Sequence, residues 1–537
     1  MHYPTISCAG VAVLALAGAY CFPADLAVAQ TSNLPAFMGP TYGQALAIPS
    51  FSGVGTAPPA VIQQTEQDTD PTGFLGTFQP GGATQTSTNA FFLSLGTNGR
   101  TCFSCHQPAS GMGISVSAVN NTFRETNGTD PIFAPVDGAN CPNTPQNHSL
   151  LLNKGLFRIF LPVPKNAQYT LKVVSDPTGC NTNKLYNTDP TTGQQIVSVY
   201  RRPLIATNLK FVITTVCNLP GAPSPCFVLA DPTIDPSTGL YESGNIMWDG
   251  REPTLQSQAT DATLVHAQAK TAPTAQQIAQ IVAFEDGVYS AQSNDSLAGP
   301  LNANGATGGP VNLSLDTPTC ADGGVCAPLP VFNEYNAWSA LAGSSSATEQ
   351  RESIYRGMLI FNGAVPAGIF NILDVSGLNN LVGANPVPGS CSTCHNDMHN
   401  GSDQFQLAQH DIGIGGTAGP PNPPLSTFGS TVTPGFGPSP SPNLPIFELT
   451  CPSATPTRYR GNVVYTNDPG QALISGKCTD IGQLSVPPMR GLASRAPYFS
   501  DGSAATLEDV VNFYNNRFNI GLSAQDKTDL VNFLNAL

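Results

Sequence analysis

The sequence predicts a mainly α-helical protein of two domains, with long irregular loops and a β-containing insertion in the first domain. Three observations predict this class. Apolar residues recur at helical spacing in the second half, at Ile354, Tyr355, Met358, Leu359 and Phe361. The pattern CxxCH occurs once in each half of the chain. A composition with 52 Gly, 49 Pro and only 10% charged residues indicates long loops held more by cross-links and cofactors than by helix packing.

The two motifs are CFSCH at residues 102–106 and CSTCH at residues 391–395. Two thiols at this spacing reach the two vinyl groups of one porphyrin as thioethers, and the adjacent histidine lies under the iron as its fifth ligand. A zinc site would need a second CxxC or a histidine pair at ligand spacing, which neither motif has. We therefore predict two covalently bound haem c groups. Their attachment residues are Cys102, Cys105 and His106 for the first, and Cys391, Cys394 and His395 for the second.

The first 29 residues form an apolar run that ends in a small-x-small pattern, which predicts a secretory signal peptide. No later apolar run is long enough to span a membrane. We expect a periplasmic or secreted protein, because c-type haem is attached outside the bacterial cytoplasm. The net charge of −14 argues against a nucleic-acid partner, since no basic stripe is present to neutralise phosphates.

Eight of the 14 cysteines remain after the two in the signal and the four haem thiols are set aside. An even number in an oxidising compartment predicts disulfides. Many connectivities are open, and we choose sequential pairing. The pairs are Cys141 with Cys180, Cys217 with Cys226, Cys320 with Cys326, and Cys451 with Cys478.

The first half is predicted to begin with an irregular arm at 30–87 and a short helix at 89–95, directly before the first motif. Alternating, β-branched runs then predict an insertion with strands or hairpins. Its strands are expected at 156–161, 169–174 and 210–216. Residues 273–293 have a helical pattern.

The second half is predicted to begin after a Pro- and Gly-rich crossover at 298–345, with a helix from Thr348. Residues 415–445 are predicted as a Pro-rich loop. Two helices end the chain, Thr506–Phe518 and Ser523–Leu537, the second with a capping box. The predicted domains are the signal at 1–29, a first haem domain at 30–345 with its insertion at about 119–245, and a second haem domain at 346–537.

Four segments resemble the bacterial di-haem cytochrome c peroxidase and MauG superfamily, over about half of the chain. They are VPPMRG at 486–491, APYFSDGS at 496–503, TLEDVVNFY at 506–514 and MWDGRE at 247–252. The resemblance implies two cytochrome c-like haem domains, an amino-terminal haem that meets peroxide and a carboxy-terminal haem that stores or relays an electron. It also implies a tryptophan between the haems, which Trp248 matches. The alternative for Trp248 is a core indole beside a turn.

The resemblance implies a distal carboxylate at the first haem, and at that place this sequence has His266. A histidine there can move a proton between peroxide oxygens, although an ordinary helix histidine is the alternative. The peroxidases have a capping histidine soon after the first motif, whereas residues 107–147 contain none. We expect an open sixth position on the first iron, with Met112 as an alternative cap.

For the second haem the resemblance implies a ligand from the helix after the Thr-Leu-Glu segment, and Tyr514 aligns there. A buried tyrosine without a ligand role is the alternative, and Ser500 departs from the family's common histidine. Other candidate ligands are Met489, Met398, His399 and His410.

The superfamily also holds a calcium ion between its domains. Ser485 and Pro487 match its carbonyl pair. Arg201 and Arg202 take the place of its asparagine, so the resemblance leaves calcium as a possible further cofactor.

These features predict an exported di-haem peroxidase-like oxidoreductase. It would reduce hydrogen peroxide at the His106 haem, with electrons from the His395 haem and from a small redox protein donor. The alternatives are a dioxygenase that resembles rubber oxygenase and acts with dioxygen on an apolar substrate, or an electron shuttle without enzyme activity. The sequence does not define an oligomeric state.

Overall fold

The structure is a computed structural model of the 537-residue chain. The residues it describes are 49, 51, 55–213, 246–316, 332–379, 383–395, 401–402, 409–414, 416–418, 440–452 and 462–537. The predicted signal peptide and the pairs Cys217–Cys226 and Cys320–Cys326 lie outside these residues.

Helices occur in both halves of the described chain. They are α1 (Val116–Thr126), α2 (Ser149–Lys154), α3 (Lys184–Asn187), α4 (Lys210–Ile213), α5 (Leu255–Val265), α6 (Ala275–Asp286), α7 (Pro310–Leu315), α8 (Ser346–Phe361), α9 (Ala472–Ser475), α10 (Leu507–Arg517) and α11 (Ala524–Asn535). Thr254, Thr274, Thr506 and Ser523 each cap a helix through a capping box, which satisfies backbone N–H groups that lack a helical partner. The capping box predicted at Ser523 is therefore confirmed.

Strands are more widespread than the sequence indicated, because they also occur outside the insertion. They are β1 (Val61–Ile62), β2 (Thr65–Asp70), β3 (Gly73–Phe78), β4 (Thr84–Gln85), β5 (Phe157–Pro162), β6 (Thr170–Ser175), β7 (Ile196–Arg201), β8 (Tyr289–Asp295), β9 (Gly299–Pro300), β10 (Phe370–Ile372), β11 (Val387–Gly389), β12 (Gly416–Ala418), β13 (Ile446–Thr450) and β14 (Val463–Thr466). They pair as β1-β4, β5-β7, β10-β11, β2-β3-β8-β9 and β12-β14-β13-β6. All these pairs are antiparallel.

The prediction of an irregular arm at 30–87 is wrong where the structure describes it, because β2 and β3 form a hairpin there. Strand β3 also pairs with β8, more than 200 residues along the chain. The sequence of β2, TEQDTD, has no apolar alternation, so the local pattern does not signal a strand. Leu75 of β3 is fully buried and fixes the face of the hairpin that points inward.

The insertion contains strands at two of the three predicted places, as β5 and β6. Strand β6 does not stay within the insertion, because it pairs with β13 in the second half of the chain. The strand predicted at 210–216 is wrong in its described part, which is helix α4. Phe211 and Val212 are buried, and a short apolar run does not distinguish a buried helix from a buried strand.

The carboxy-terminal helices form the largest apolar cluster of the described residues. Helix α8 approaches α11 closely at Gly357, where an added Cβ would lie 2.0 Å from the Asp529 carbonyl oxygen. Phe332 and Trp338, from the predicted crossover at 298–345, lie in the same cluster. The domain boundary at 345 therefore stays a prediction.

Both terminal helices are confirmed, as α10 and α11, and the helix expected from Thr348 begins at Ser346. The helix predicted over 273–293 ends at Asp286, and the chain continues as β8. Strand β12 lies within the predicted loop at 415–445, much of which is outside the described residues.

Two of the predicted disulfides are present, Cys141–Cys180 and Cys451–Cys478. In the described part of the chain we find no helix whose length and apolarity would suffice to cross a bilayer.

Candidate functional site

The two CxxCH motifs adopt the same local conformation. Cys102–Ser104 and Cys391–Thr393 each form a single 3-10 turn, and capping boxes at Thr101 and Ser390 fix the start of each turn. The four motif thiols are free, whereas the other cysteines in the described residues are in disulfides. The thiols are therefore available for attachment to a cofactor.

The histidine of each motif is oriented by a backbone carbonyl six residues further along. His106 Nδ1 lies 2.9 Å from the Met112 carbonyl oxygen, and His395 Nδ1 lies 2.8 Å from that of Gly401. A carbonyl only accepts, so Nδ1 donates in both cases and Nε2 is left for a metal. Burial lowers the pKa of His106, which keeps the imidazole neutral, as ligation requires.

Each motif lies in the wall of its own cavity. The first cavity has a volume of about 200 Å³ and the second about 220 Å³, and apolar side chains line most of both. All six attachment residues line these cavities: Cys102, Cys105 and His106 the first, and Cys391, Cys394 and His395 the second. Free thiols, oriented histidines and apolar walls fit one haem c in each cavity.

The two cavities share part of a wall. Trp248, Pro487 and Pro488 line both of them. The Trp248 indole donates from Nε1 to the Arg202 carbonyl oxygen at 2.7 Å, and its own carbonyl accepts from the Ser485 N–H at 2.8 Å. These bonds hold the indole between the cavities.

A histidine, a carboxylate and an arginine are in contact at the first cavity. His266, which ends α5, has its Nδ1 2.5 Å from Asp137 Oδ2, and the other oxygen of Asp137 accepts from Arg100. Burial by itself would raise the pKa of Asp137, but Arg100 and His266 outweigh burial and hold it below its usual range. The carboxylate is therefore ionised, and His266 Nδ1 donates to it.

The sequence did not point to Asp137 or Arg100, because Asp137 and His266 are 129 residues apart and no local pattern links them. It also missed Glu285, a buried carboxyl in the wall of the first cavity. Glu285 Oε2 has no partner in the described residues, and burial raises the pKa of this carboxyl to about 8. Helical spacing contained a signal, because Glu285 lies four residues after the buried Ile281 on the same face of α6.

Helix α10 supplies one wall of the second cavity. Its lining residues are Leu507, Val510, Val511 and Tyr514. The Tyr514 ring lies 6.4 Å from the His395 ring, centroid to centroid, at 85°. Burial raises the pKa of the Tyr514 phenol, as do the thiols of Cys394 and Cys391, so a phenolate there would need a cation beside it.

The other candidate ligands of the second haem lie at different places. Met489 lines the second cavity, but its side chain lies against Gly401, whose carbonyl holds His395. Met489 is therefore next to the segment that orients His395. His410 also lines this cavity and is buried. Met398 and His399 lie outside the described residues.

Met112 and His148 have packing and hydrogen-bonding roles in the first half of the chain that explain their burial. Met112 is fully buried in a cluster with Phe91, and it presents its carbonyl to His106, so the structure does not support it as a cap of the first iron. His148 donates to the Gly138 carbonyl and packs against Phe133. Neither Met112 nor His148 is among the residues that line the first cavity.

The residues at the proposed calcium position do not fit that ion. Arg201, which replaces the family's asparagine together with Arg202, is paired with Asp249 and Asp468. In the described residues no group of three or more His, Cys, Asp or Glu side chains could hold a metal ion. The hydroxyl of Ser485 donates to the Met247 carbonyl. Fixed guanidinium charge therefore lies where the cation would be expected.

Two cavities, each with a CxxCH turn in its wall, are the arrangement expected of a c-type cytochrome. The chain is 33% identical over 156 residues to the cytochrome-c peroxidase IdrP2 of Denitromonas iodatirespirans. This match covers 28% of the chain and 36% of the relative, so the chain spans about a third of the curated relative's length. No protein-family model matches.

Two solved structures are also similar. One is a MauG-like protein associated with microbial copper homeostasis, at 17% identity and a TM-score of 0.28, over 55% of this chain and 72% of the other. The second is hydrazine synthase of Kuenenia stuttgartiensis, at 14% identity and a TM-score of 0.26, over 63% and 73%. TM-scores this low do not establish a shared overall fold.

The match to a cytochrome-c peroxidase confirms the resemblance to the bacterial di-haem cytochrome c peroxidase and MauG superfamily.

Proposed function

We propose that this chain is an exported di-haem c-type oxidoreductase that reduces hydrogen peroxide at the first cavity. The observation that carries the proposal is the contact between His266 and Asp137 in the wall of the cavity that also contains His106. A histidine that a carboxylate orients would promote peroxide cleavage at the haem that His106 would hold, by moving a proton between the peroxide oxygens.

The reaction consumes one peroxide, two electrons and two protons and yields two water molecules. Haem iron supplies the redox chemistry. His266 Nε2 accepts a proton from one peroxide oxygen and returns it to the other, the leaving oxygen. Asp137 stabilises the imidazolium formed in between, and Arg100 keeps Asp137 ionised. Residues 107–147 contain no histidine that could cap the iron in the oxidised state.

We propose that electrons enter at the second cavity from a small redox protein and pass through Trp248, which lies in the shared wall. Tyr514 is the residue that we propose would hold the iron of this haem together with His395, because it lines the second cavity beside His395. The proposed domains are 30–345 and 346–537. The two disulfides support export to an oxidising compartment.

The test is the rate at which the oxidised protein reacts with hydrogen peroxide, followed by stopped-flow absorbance. His266→Ala should slow this reaction about 10²–10⁴-fold, which is the usual contribution of a general acid–base residue. Gln256→Ala is the control, because Gln256 lies on the same helix and is not among the cavity-lining residues.

An unchanged rate in His266→Ala, with both haems retained, would make His266 a structural residue and refute the proposed mechanism. If the oxidised wild type does not respond to peroxide but consumes dioxygen with an apolar substrate, the oxygenase alternative replaces the peroxidase.

A further inference from the structure

Two arginines lie where the two cavities approach each other. Arg202 lines the first cavity and Arg495 lines the second. They are in direct contact, because Arg202 Nη2 donates to the Arg495 carbonyl oxygen at 2.8 Å. Both lie next to the shared wall: the Arg202 carbonyl accepts from the Trp248 indole, and Arg495 donates to the Pro488 carbonyl.

The guanidinium of Arg202 is enclosed by backbone oxygens. It donates to the Lys154 carbonyl at 2.8 Å and to the Ile114 carbonyl at 2.7 Å, in addition to that of Arg495. An added Cβ at Gly155 would lie 2.3 Å from Arg202 Nη1, so a glycine is needed for this approach. The group thus joins two segments of the first half to the carboxy-terminal part of the chain.

Arg495 has fewer partners. Its Nη2 donates to the Pro488 carbonyl at 3.1 Å, and its Nε has no partner in the described residues. Burial lowers the pKa of Arg202 and of Arg495 to about 10, so both remain charged near neutral pH.

Neither arginine has an acidic partner in the described part of the chain. The neighbouring Arg201 and Arg251 differ, because both are paired with the buried Asp249. A charge held away from water without a counter-charge is destabilising, and the positive charge of Arg495 near Arg202 adds to that cost. In the described part of the chain, no side chain supplies an anion to these two positions.

The cavities indicate the chemistry of that anion. Each carries the attachment residues of a haem c, and a haem has two propionate carboxylates on one edge. A guanidinium is the side chain best suited to bind a carboxylate, through paired N–H donors. A haem carboxylate at the shared wall would balance the positive charge of the arginines, and the arginines would balance its negative charge.

We propose that Arg495 binds a propionate carboxylate of the haem in the second cavity, and that Arg202 supplies a second fixed positive charge for the haem carboxylates at the shared wall. The inference rests on the proposed haem sites and not on peroxide as the substrate.

The test is a spectroelectrochemical titration of both haems in the full chain. Arg495→Gln should lower the reduction potential of the second haem by at least about 59 mV, which is a tenfold change in the one-electron equilibrium constant, because an unpaired propionate favours ferric iron. Arg495→Lys, which keeps the charge, should shift it by less. Arg124→Gln, an exposed arginine on α1, is the control and should have no effect.

Equal potentials in Arg495→Gln and Arg124→Gln would overturn the proposal. A calcium chelator that shifted the wild-type potential would also overturn it, because a bound cation would then supply the charge. Inorganic phosphate that shifted the potential of the wild type and not of Arg495→Gln would overturn it as well, because the arginine would then be open to an anion from solution. If Arg495→Gln does not retain two haems, the resonance Raman propionate bending band is compared between wild type and Arg495→Lys. An unchanged band would refute the contact. If the wild type does not turn over peroxide while Arg495→Gln still lowers the potential as expected, the proposed activity is refuted and the propionate contact stands.

Discussion

The first and second cavities share their attachment geometry and differ in the groups that face it. In both, a capped 3-10 turn presents two thiols and a histidine that a backbone carbonyl orients. The first cavity adds ionisable groups, His266, Asp137 and Glu285. The second adds an aromatic wall around Tyr514. Because the two motifs are alike, the other residues that line each cavity determine how its chemistry differs from that of the other cavity.

The largest expected effect tests whether the two cavities are independent. Replacing both Cys391 and Cys394 by Ala should remove one covalent haem and leave the first in place, because each cavity has its own thiols. The reciprocal pair, Cys102→Ala with Cys105→Ala, should remove the other. The pyridine haemochrome assay measures the count per chain. A wild-type count of one, or loss of both haems from either double variant, would contradict two separate sites.

The next test concerns the aromatic wall. Tyr514→Phe should change the ligand-field spectrum of the second haem and raise its potential by about 59 mV or more, a tenfold change in the equilibrium constant. The reason is that an anionic oxygen ligand favours ferric iron. Met489→Leu is the matched control. If the spectrum responds to Met489→Leu or His410→Ala and not to Tyr514→Phe, the second cavity has a different ligand.

The shared wall gives a smaller, kinetic effect. Trp248→Phe should slow electron transfer between the haems about tenfold, equivalent to about 1.4 kcal/mol in the activation barrier, while both spectra stay intact. Rapid half-reduction followed by optical relaxation measures the rate. Loss of haem from this variant would indicate instead that the indole only packs the core.

A thermodynamic effect is expected from Glu285, whose pKa rises from 4.5 to about 8 through burial. The folded protein keeps this proton between those values while the unfolded chain releases it. The free energy of unfolding should therefore fall as the pH rises through this window, by up to about 1.4 kcal/mol per pH unit.

Glu285→Gln should remove that slope, and Glu349→Gln on the exposed start of α8 should not. Denaturant unfolding at several pH values provides the comparison. Equal slopes in all three proteins would show that Glu285 is ionised in the folded state.

The sequence predicted what is encoded locally. The CxxCH turns, the capping box at Ser523 and the spacing of Leu507 to Tyr514 depend on residues a few positions apart, and the structure has all three elements. Two disulfides were also found. Their partners are 39 and 27 residues apart, and sequential pairing happened to select them.

The features that were missed depend on distant partners. Strand β2 is polar throughout, and its hairpin is completed by β8. The role of Asp137 depends on Arg100 and His266, which lie on either side of it in the sequence and contact it only after folding. The composition likewise does not show that the Glu285 carboxyl is buried and keeps its proton, because the surrounding fold sets its pKa.

The pairing of β6 with β13 also affects how the chain folds during its synthesis. About 271 residues separate the end of β6 from the start of β13. At a synthesis rate of about 5–20 residues per second, β6 would emerge roughly 14–54 s before its partner. Until β13 is made, neither edge of β6 would have this partner, whereas in the folded sheet β13 pairs with one edge, and unpaired edges invite pairing with other chains. A chaperone or prompt transport that kept β6 from such contacts would protect the chain from aggregation until β13 is made.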